Sequence, residues 1–90
     1  MEQTFEKIKV IRCDKATGVE KRGNDVLGHV KAVVTFKDKS GYVTFLQAYA
    51  DSDSHFFPAI MAIRDYDEIS LGFDEDGYLI RFSNHTLCKM

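Results

Sequence analysis

The stretch FKDKSGYVTF, from Phe36 to Phe45, lies between two runs of alternating side chains. Val26 to Lys37 leads into it, with Val30, Ala32, Val34 and Phe36 on one parity and His29, Lys31, Val33, Thr35 and Lys37 on the other. Tyr42 to Ala50 leads out, with Val43, Phe45, Gln47 and Tyr49 set against Tyr42, Thr44, Leu46 and Ala48. A period of two marks strands whose two faces meet different surroundings. The length of the loop decides which faces coincide. A four-residue loop, Asp38-Lys39-Ser40-Gly41, sets Phe36 against Val43, Val34 against Phe45 and Val30 against Tyr49. A slip of one residue puts Phe45 on the face of the lysines instead. The four-residue loop is therefore the expectation. Asp38 can accept from backbone N–H groups within the turn, and Gly41 supplies the positive φ that closes it.

The pattern returns in FDEDGYLIRF, Phe73 to Phe82. A loop over residues 74–77 pairs Phe73 with Tyr78, Leu71 with Ile80 and Ile69 with Phe82, with all six on one face. The three acids Asp74, Glu75 and Asp76 invite comparison with a calcium loop. Such a loop needs six or more oxygens over about twelve residues, and Tyr78-Leu79-Ile80-Arg81-Phe82 supplies none from side chains. Both Asp-x-x-Gly segments read as hairpin turns, and no metal or cofactor is assigned.

Working outward, Phe5 to Cys13 alternates Ile8 and Val10 with lysines and reads as a strand. Asp14 to Asp25, rich in charge and with two glycines, reads as a loop or a long exposed hairpin connection. Asp51-Ser52-Asp53-Ser54 reads as a cluster of helix N-caps, followed by a short helix through Pro58 to about Tyr66. Two turns of helix are unstable alone, so this one must lie on the sheet. Residues 1–90 then form one α+β domain. It is an antiparallel sheet of about five strands, in the order β-β-β-α-β-β, with one short helix on one face.

The hydrophobic fraction of 44% supports a core without a metal or disulfide staple. A domain of this size is stable by roughly 5–10 kcal/mol. No run approaches the roughly 20 apolar residues that span a bilayer, and no signal-peptide core is present. The expectation is a cytoplasmic protein with Cys13 and Cys88 reduced. CxxC, GxSxG, HExxH and Walker patterns are absent, so no enzyme is expected. His29, His55 and His85 are far apart in sequence. Asp51, Asp53 and His55 could together hold a divalent metal in a small enzyme, but helix capping accounts for the residues other than His55.

The formal net charge is −2, unevenly spread: residues 51–76 hold eight acids against Arg64. Asp65, Asp67 and Glu68 follow the expected helix, where acids oppose the dipole. With Asp74, Glu75 and Asp76 at a hairpin tip, they suggest an acidic surface that docks on a basic protein partner, such as a nucleic-acid-processing enzyme. By analogy, small phage- or plasmid-type inhibitors work this way. The alternative is a nucleotide or single-stranded nucleic-acid binder that uses Lys31, Lys37 and Tyr42 on a sheet face. Apolar groups on both sheet faces further suggest a homodimer.

Overall fold

The structure, a computed structural model, describes residues 2–88, excepting the side chains of Arg22 and Cys88. The Cys13–Cys88 pair therefore falls partly outside the described residues. In chain order the elements are β1 (Gln3–Arg22), β2 (Asp25–Lys37), β3 (Val43–Asp51), α1 (Phe56–Met61), β4 (Glu68–Phe73), β5 (Leu79–Asn84) and α2 (His85–Cys88). The molecule is mostly strand, so the α+β description fits loosely. Across the antiparallel sheet the strands lie β3-β2-β1-β4-β5, so their order in space is not their order along the chain.

The segment 14–22, expected as part of a loop or a long exposed hairpin connection, is the second half of β1. Its backbone pairs with β2 from Arg12↔Thr35 to Arg22↔Asp25. Ladder hydrogen bonds need no apolar side chain, so a charged sequence can still make a strand when a strong neighbour templates it. The first half of β1 pairs instead with β4, from Gln3↔Phe73 to Lys9↔Glu68. Irregularities between Phe5 and Ile8 and between Val10 and Arg12 bend β1 where it changes partner. The sheet thus has two lobes hinged on one strand.

Both hairpins are built around Asp and Gly as expected, but each loop is one residue shorter, because Asp38 pairs with Tyr42 and Asp74 with Tyr78. Asp38 N–H donates to the Tyr42 carbonyl at 2.9 Å, and Gly41 N–H to the Asp38 carbonyl at 3.0 Å. Asp74, Tyr78 and Gly77 repeat this at 2.9 and 3.1 Å. Gly41 and Gly77 sit at φ 86° and 87°, as a three-residue loop with a left-handed last residue requires. The Asp38 carboxylate accepts from Ser40 N–H and Tyr42 N–H, and the Asp74 carboxylate from Asp76 N–H and Tyr78 N–H. Asp74→Ala is expected to cost about 1 kcal/mol, while Glu75→Ala and Asp76→Ala stay within about 0.5 kcal/mol. Urea denaturation of the three variants checks this.

The shorter loop changes the register of the first hairpin. Asp38 and Tyr42 form the closing pair, so Phe36 faces Thr44, Val34 faces Leu46 and Val30 faces Ala50. The expected Val34–Phe45 and Val30–Tyr49 pairs do not form. Phe45 lies on the lysine face, 68% exposed, while Leu46, Ala48 and Ala50 are buried. Helix α1 packs against β2 and β3 and places Ile60 in the core. Ala32, Ala48 and Ala50 leave room for it, where Phe45 and Tyr49 would not. In the second hairpin Phe73 faces Leu79 and Leu71 faces Phe82, with an irregularity between Gly72 and Phe73. Ile69 faces Asn84, and Tyr78 and Ile80 are turned to solvent.

The core joins Val10, Val30, Val34, Phe36, Ile60, Ile63, Ile69, Leu71 and Phe73, with Phe5, Phe56 and Phe82 packed on its margin. Helix α1 is shorter than expected. Lys15 Nζ donates to the Met61 and Ile63 carbonyls at 2.8 and 2.6 Å, capping its end. Beyond it, Tyr66 N–H donates to the Val10 carbonyl and Val10 N–H to the Asp67 carbonyl, which draws the chain into extended pairing with β1.

Candidate functional site

The six acids expected to form one docking surface have different fates. Asp67 is 3% exposed. Its Oδ2 accepts from Arg64 N–H and from Asn84 Nδ2, each at 3.0 Å. Asp65 Oδ1 accepts from Cys13 N–H at 3.0 Å. Asp74 holds its own turn. Glu68 is half-buried, and Glu75 and Asp76 are exposed at the hairpin tip. Strand β4 separates the two groups, and six residues at about 3.3 Å each put them roughly 20 Å apart. The structure also removes the expected conflict with a helix dipole. Asp65 and Asp67 lie beyond α1: Asp67 accepts from Arg64 N–H in the turn that follows the helix, and Asp65 from Cys13 N–H on β1.

Asp51, Asp53 and His55 do not converge. Asp51 Oδ1 accepts from the Tyr49 hydroxyl at 3.0 Å. Among the described residues no group of three or more His, Cys, Asp or Glu side chains is placed to hold a metal ion. Nor do Asp51 and Asp53 cap the helix as expected. His55 occupies the N-cap without a side-chain bond, and Ser54 Oγ accepts from Phe56 N–H at 3.2 Å. The three histidines have separate neighbours: His29 stacks on Tyr49, His55 meets Phe56, and His85 bonds Ser70. Burial pushes the Cys13 thiol up, Lys15 pulls against that, and Asp65 adds to it.

The lysines of the alternative reading do share a face. Lys31 faces Tyr49 across the strands and Lys37 faces Val43. Tyr42 is 72% exposed but lies at the loop, on the parity of the buried Leu46, Ala48 and Ala50 rather than that of the lysines. The rings that accompany Lys31 and Lys37 are Phe45 and Tyr49. Val43 and Phe45 are 63% and 68% exposed and Tyr49 43%, with the half-buried Val33 and Thr35 between them and β1. His29 lies 5.4 Å from Tyr49, its ring tilted 25°. Arg12, opposite Thr35, brings a third cation, paired with Asp14 at 3.1 Å. The outer surface of β2–β3 is thus a row of apolar and aromatic groups bordered by cations. Only the wrong register hid Phe45 and Tyr49 from the sequence reading; their exposure follows once Leu46, Ala48 and Ala50 are given to the helix.

No protein-family model matches the chain, and no curated protein or solved structure is significantly similar to it. Among the described residues no helix is long and apolar enough to cross a membrane.

Proposed function

We propose that the chain is a small binding module whose working surface is the outer face of β2–β3, and that its ligand is single-stranded nucleic acid. The observation that carries this reading is the exposed Phe45–Tyr49 row lying directly beside Lys31 and Lys37 on the same face. Exposing a phenyl ring forgoes about 1.5–3 kcal/mol of burial. A platform of rings returns that when bases stack on it, at roughly 1–3 kcal/mol per base. The lysines supply the salt-sensitive attraction to phosphate. The net charge of −2 makes the attraction local to this face rather than a property of the whole molecule. Docking on a basic protein through acids is the weaker reading. Of its six residues, Asp67 is buried, Asp65 and Asp74 serve the fold and Glu68 is half-buried at the far end of β4, which leaves Glu75 and Asp76 at one tip.

Fluorescence anisotropy with labelled oligonucleotides tests the proposal. Binding is expected at low salt, with affinity falling as salt rises. The double variant Lys31→Ala/Lys37→Ala is expected to reduce the slope of log affinity against log salt by about 1.4. Absence of binding at low salt, or an unchanged slope, refutes the reading.

A further inference from the structure

The outer face of the other lobe carries a polar cluster that the proposed binding surface does not use. Ser70, on β4, and His85, at the start of α2, meet there with Oγ and Nε2 2.7 Å apart, both residues half-buried. Lys7 N–H donates to the same Oγ at 2.9 Å. Lys7 reaches this position at φ 48°, a left-handed conformation unusual for a side chain other than glycine, inside the irregularity that separates Phe5 from Ile8. Such outliers concentrate where a backbone group must be aimed. His85 is fixed in turn by Asn84, whose Oδ1 accepts from Thr86 N–H and Leu87 N–H at 3.1 and 3.2 Å.

A serine hydroxyl has one proton and two lone pairs. The Lys7 N–H occupies one lone pair. With the imidazole proton on Nδ1, Nε2 accepts the hydroxyl proton, and the second lone pair stays free. Beside it runs an open groove of about 120 Å³, lined by Thr4, Glu6, Gly72, Arg81 and Ser83 as well as Ser70. One water needs roughly 10–15 Å³ of such space, so there is room for a group the size of acetyl. Gly72 lets the Arg81 side chain lie close over the strand: a Cβ there would meet Arg81 Nε at 3.3 Å.

We propose that Ser70 is an acyl-accepting hydroxyl, with His85 as its general base, for small activated acyl donors. Oγ attacks the carbonyl carbon as Nε2 takes the hydroxyl proton. An Oγ–carbon bond forms, the bond from that carbon to the leaving group breaks, and the proton passes from His85 to the leaving group. The products are O-acyl-Ser70 and the protonated leaving group, with no change of oxidation state. Arg81, which lines the groove and also pairs with Glu2 at 3.7 Å, is the cation assigned to stabilise the developing oxyanion.

The experiment is incubation of the whole chain with p-nitrophenyl acetate, followed by intact-mass measurement and peptide mapping. The expected result is one acetyl group on Ser70, formed faster than acetylation of any lysine. His85→Gln keeps a hydrogen-bonding group near Oγ but no base, and is expected to slow Ser70 acetylation about a hundredfold or more. Ser70→Ala is expected to remove it, with melting curves recorded for both variants. Acetyl found on lysines alone in the unmodified sequence, which needs no variant to fold, overturns the proposal. So does a folded His85→Gln protein that acetylates Ser70 at the parent rate.

Discussion

Asp67→Ala is expected to destabilise the protein by about 4 kcal/mol, a large share of what a 90-residue domain has. The carboxylate is buried, and its Oδ2 accepts from Arg64 N–H and Asn84 Nδ2, both at 3.0 Å. Truncation leaves two donors without a partner where water cannot easily replace it, at roughly 1–3 kcal/mol each. The loss spreads further, because Asn84 also holds the first turn of α2 through its Oδ1. The Asp67 carbonyl accepts from Val10 N–H at 2.8 Å, at the point where β1 changes partner. Thermal unfolding followed by circular dichroism should show a midpoint lower by roughly 15–30 °C. A fall of a few degrees would mean that the Asp67–Asn84 bond is not the tie between the β4–β5 hairpin and the loop after α1. Glu75→Ala, at an exposed tip position, is the matched control and should shift the midpoint by little.

The same residue shows how far the sequence could be read. Strands over Phe5–Cys13, Val26–Lys37 and Glu68–Phe73 follow from alternation, and both turns follow from Asp-x-x-Gly. These are local signals, and local chemistry decides them. Asp67 falls in with its acidic neighbours in the sequence because composition does not report depth. What distinguishes it is a contact with Asn84, seventeen residues away. The face of β3 was equally hard to assign. In VTFLQAYAD both parities carry apolar groups, so alternation alone cannot choose between them. Volume could have chosen: Ala48 and Ala50 are the residues that a helix can lie on. Alternation does not mark the second half of β1, because backbone pairing, rather than side-chain burial, makes it a strand. Helix α2 is four residues long and depends on the Asn84 cap and on Thr86 Oγ1, which accepts from Glu68 N–H at 2.8 Å. Of the candidate site, Lys31 and Lys37 were legible as a cationic face, while their aromatic neighbours depended on a register that one loop residue reverses.

That register also underlies the second large expected effect. Phe45→Ala combined with Tyr49→Ala is expected to weaken single-strand binding at least about 25-fold. Each ring that stacks a base contributes roughly 1–3 kcal/mol, or about 5- to 150-fold. The two rings share one face of β3, four residues and therefore about 13 Å apart, so they engage different nucleotides and their losses should add. Phe45 is mostly solvent-exposed, and Phe45→Ala alone should leave unfolding free energy within about 0.5 kcal/mol. Tyr49 stacks with His29, and its hydroxyl donates to Asp51, so its removal should cost somewhat more. Affinity and stability thus move separately, which a merely structural role for these rings would not produce. Sedimentation of the same variants tests the proposed homodimer, because an apolar face can also be covered by a second copy. A parent protein that sediments as a dimer, becomes monomeric on Phe45→Ala and binds no oligonucleotide would assign the face to self-association. A monomeric parent whose oligonucleotide affinity collapses in the double variant, with folding intact, would assign it to nucleic acid. The salt dependence left in that variant should still reflect Lys31 and Lys37, since stacking and phosphate attraction are carried by different side chains on the same surface.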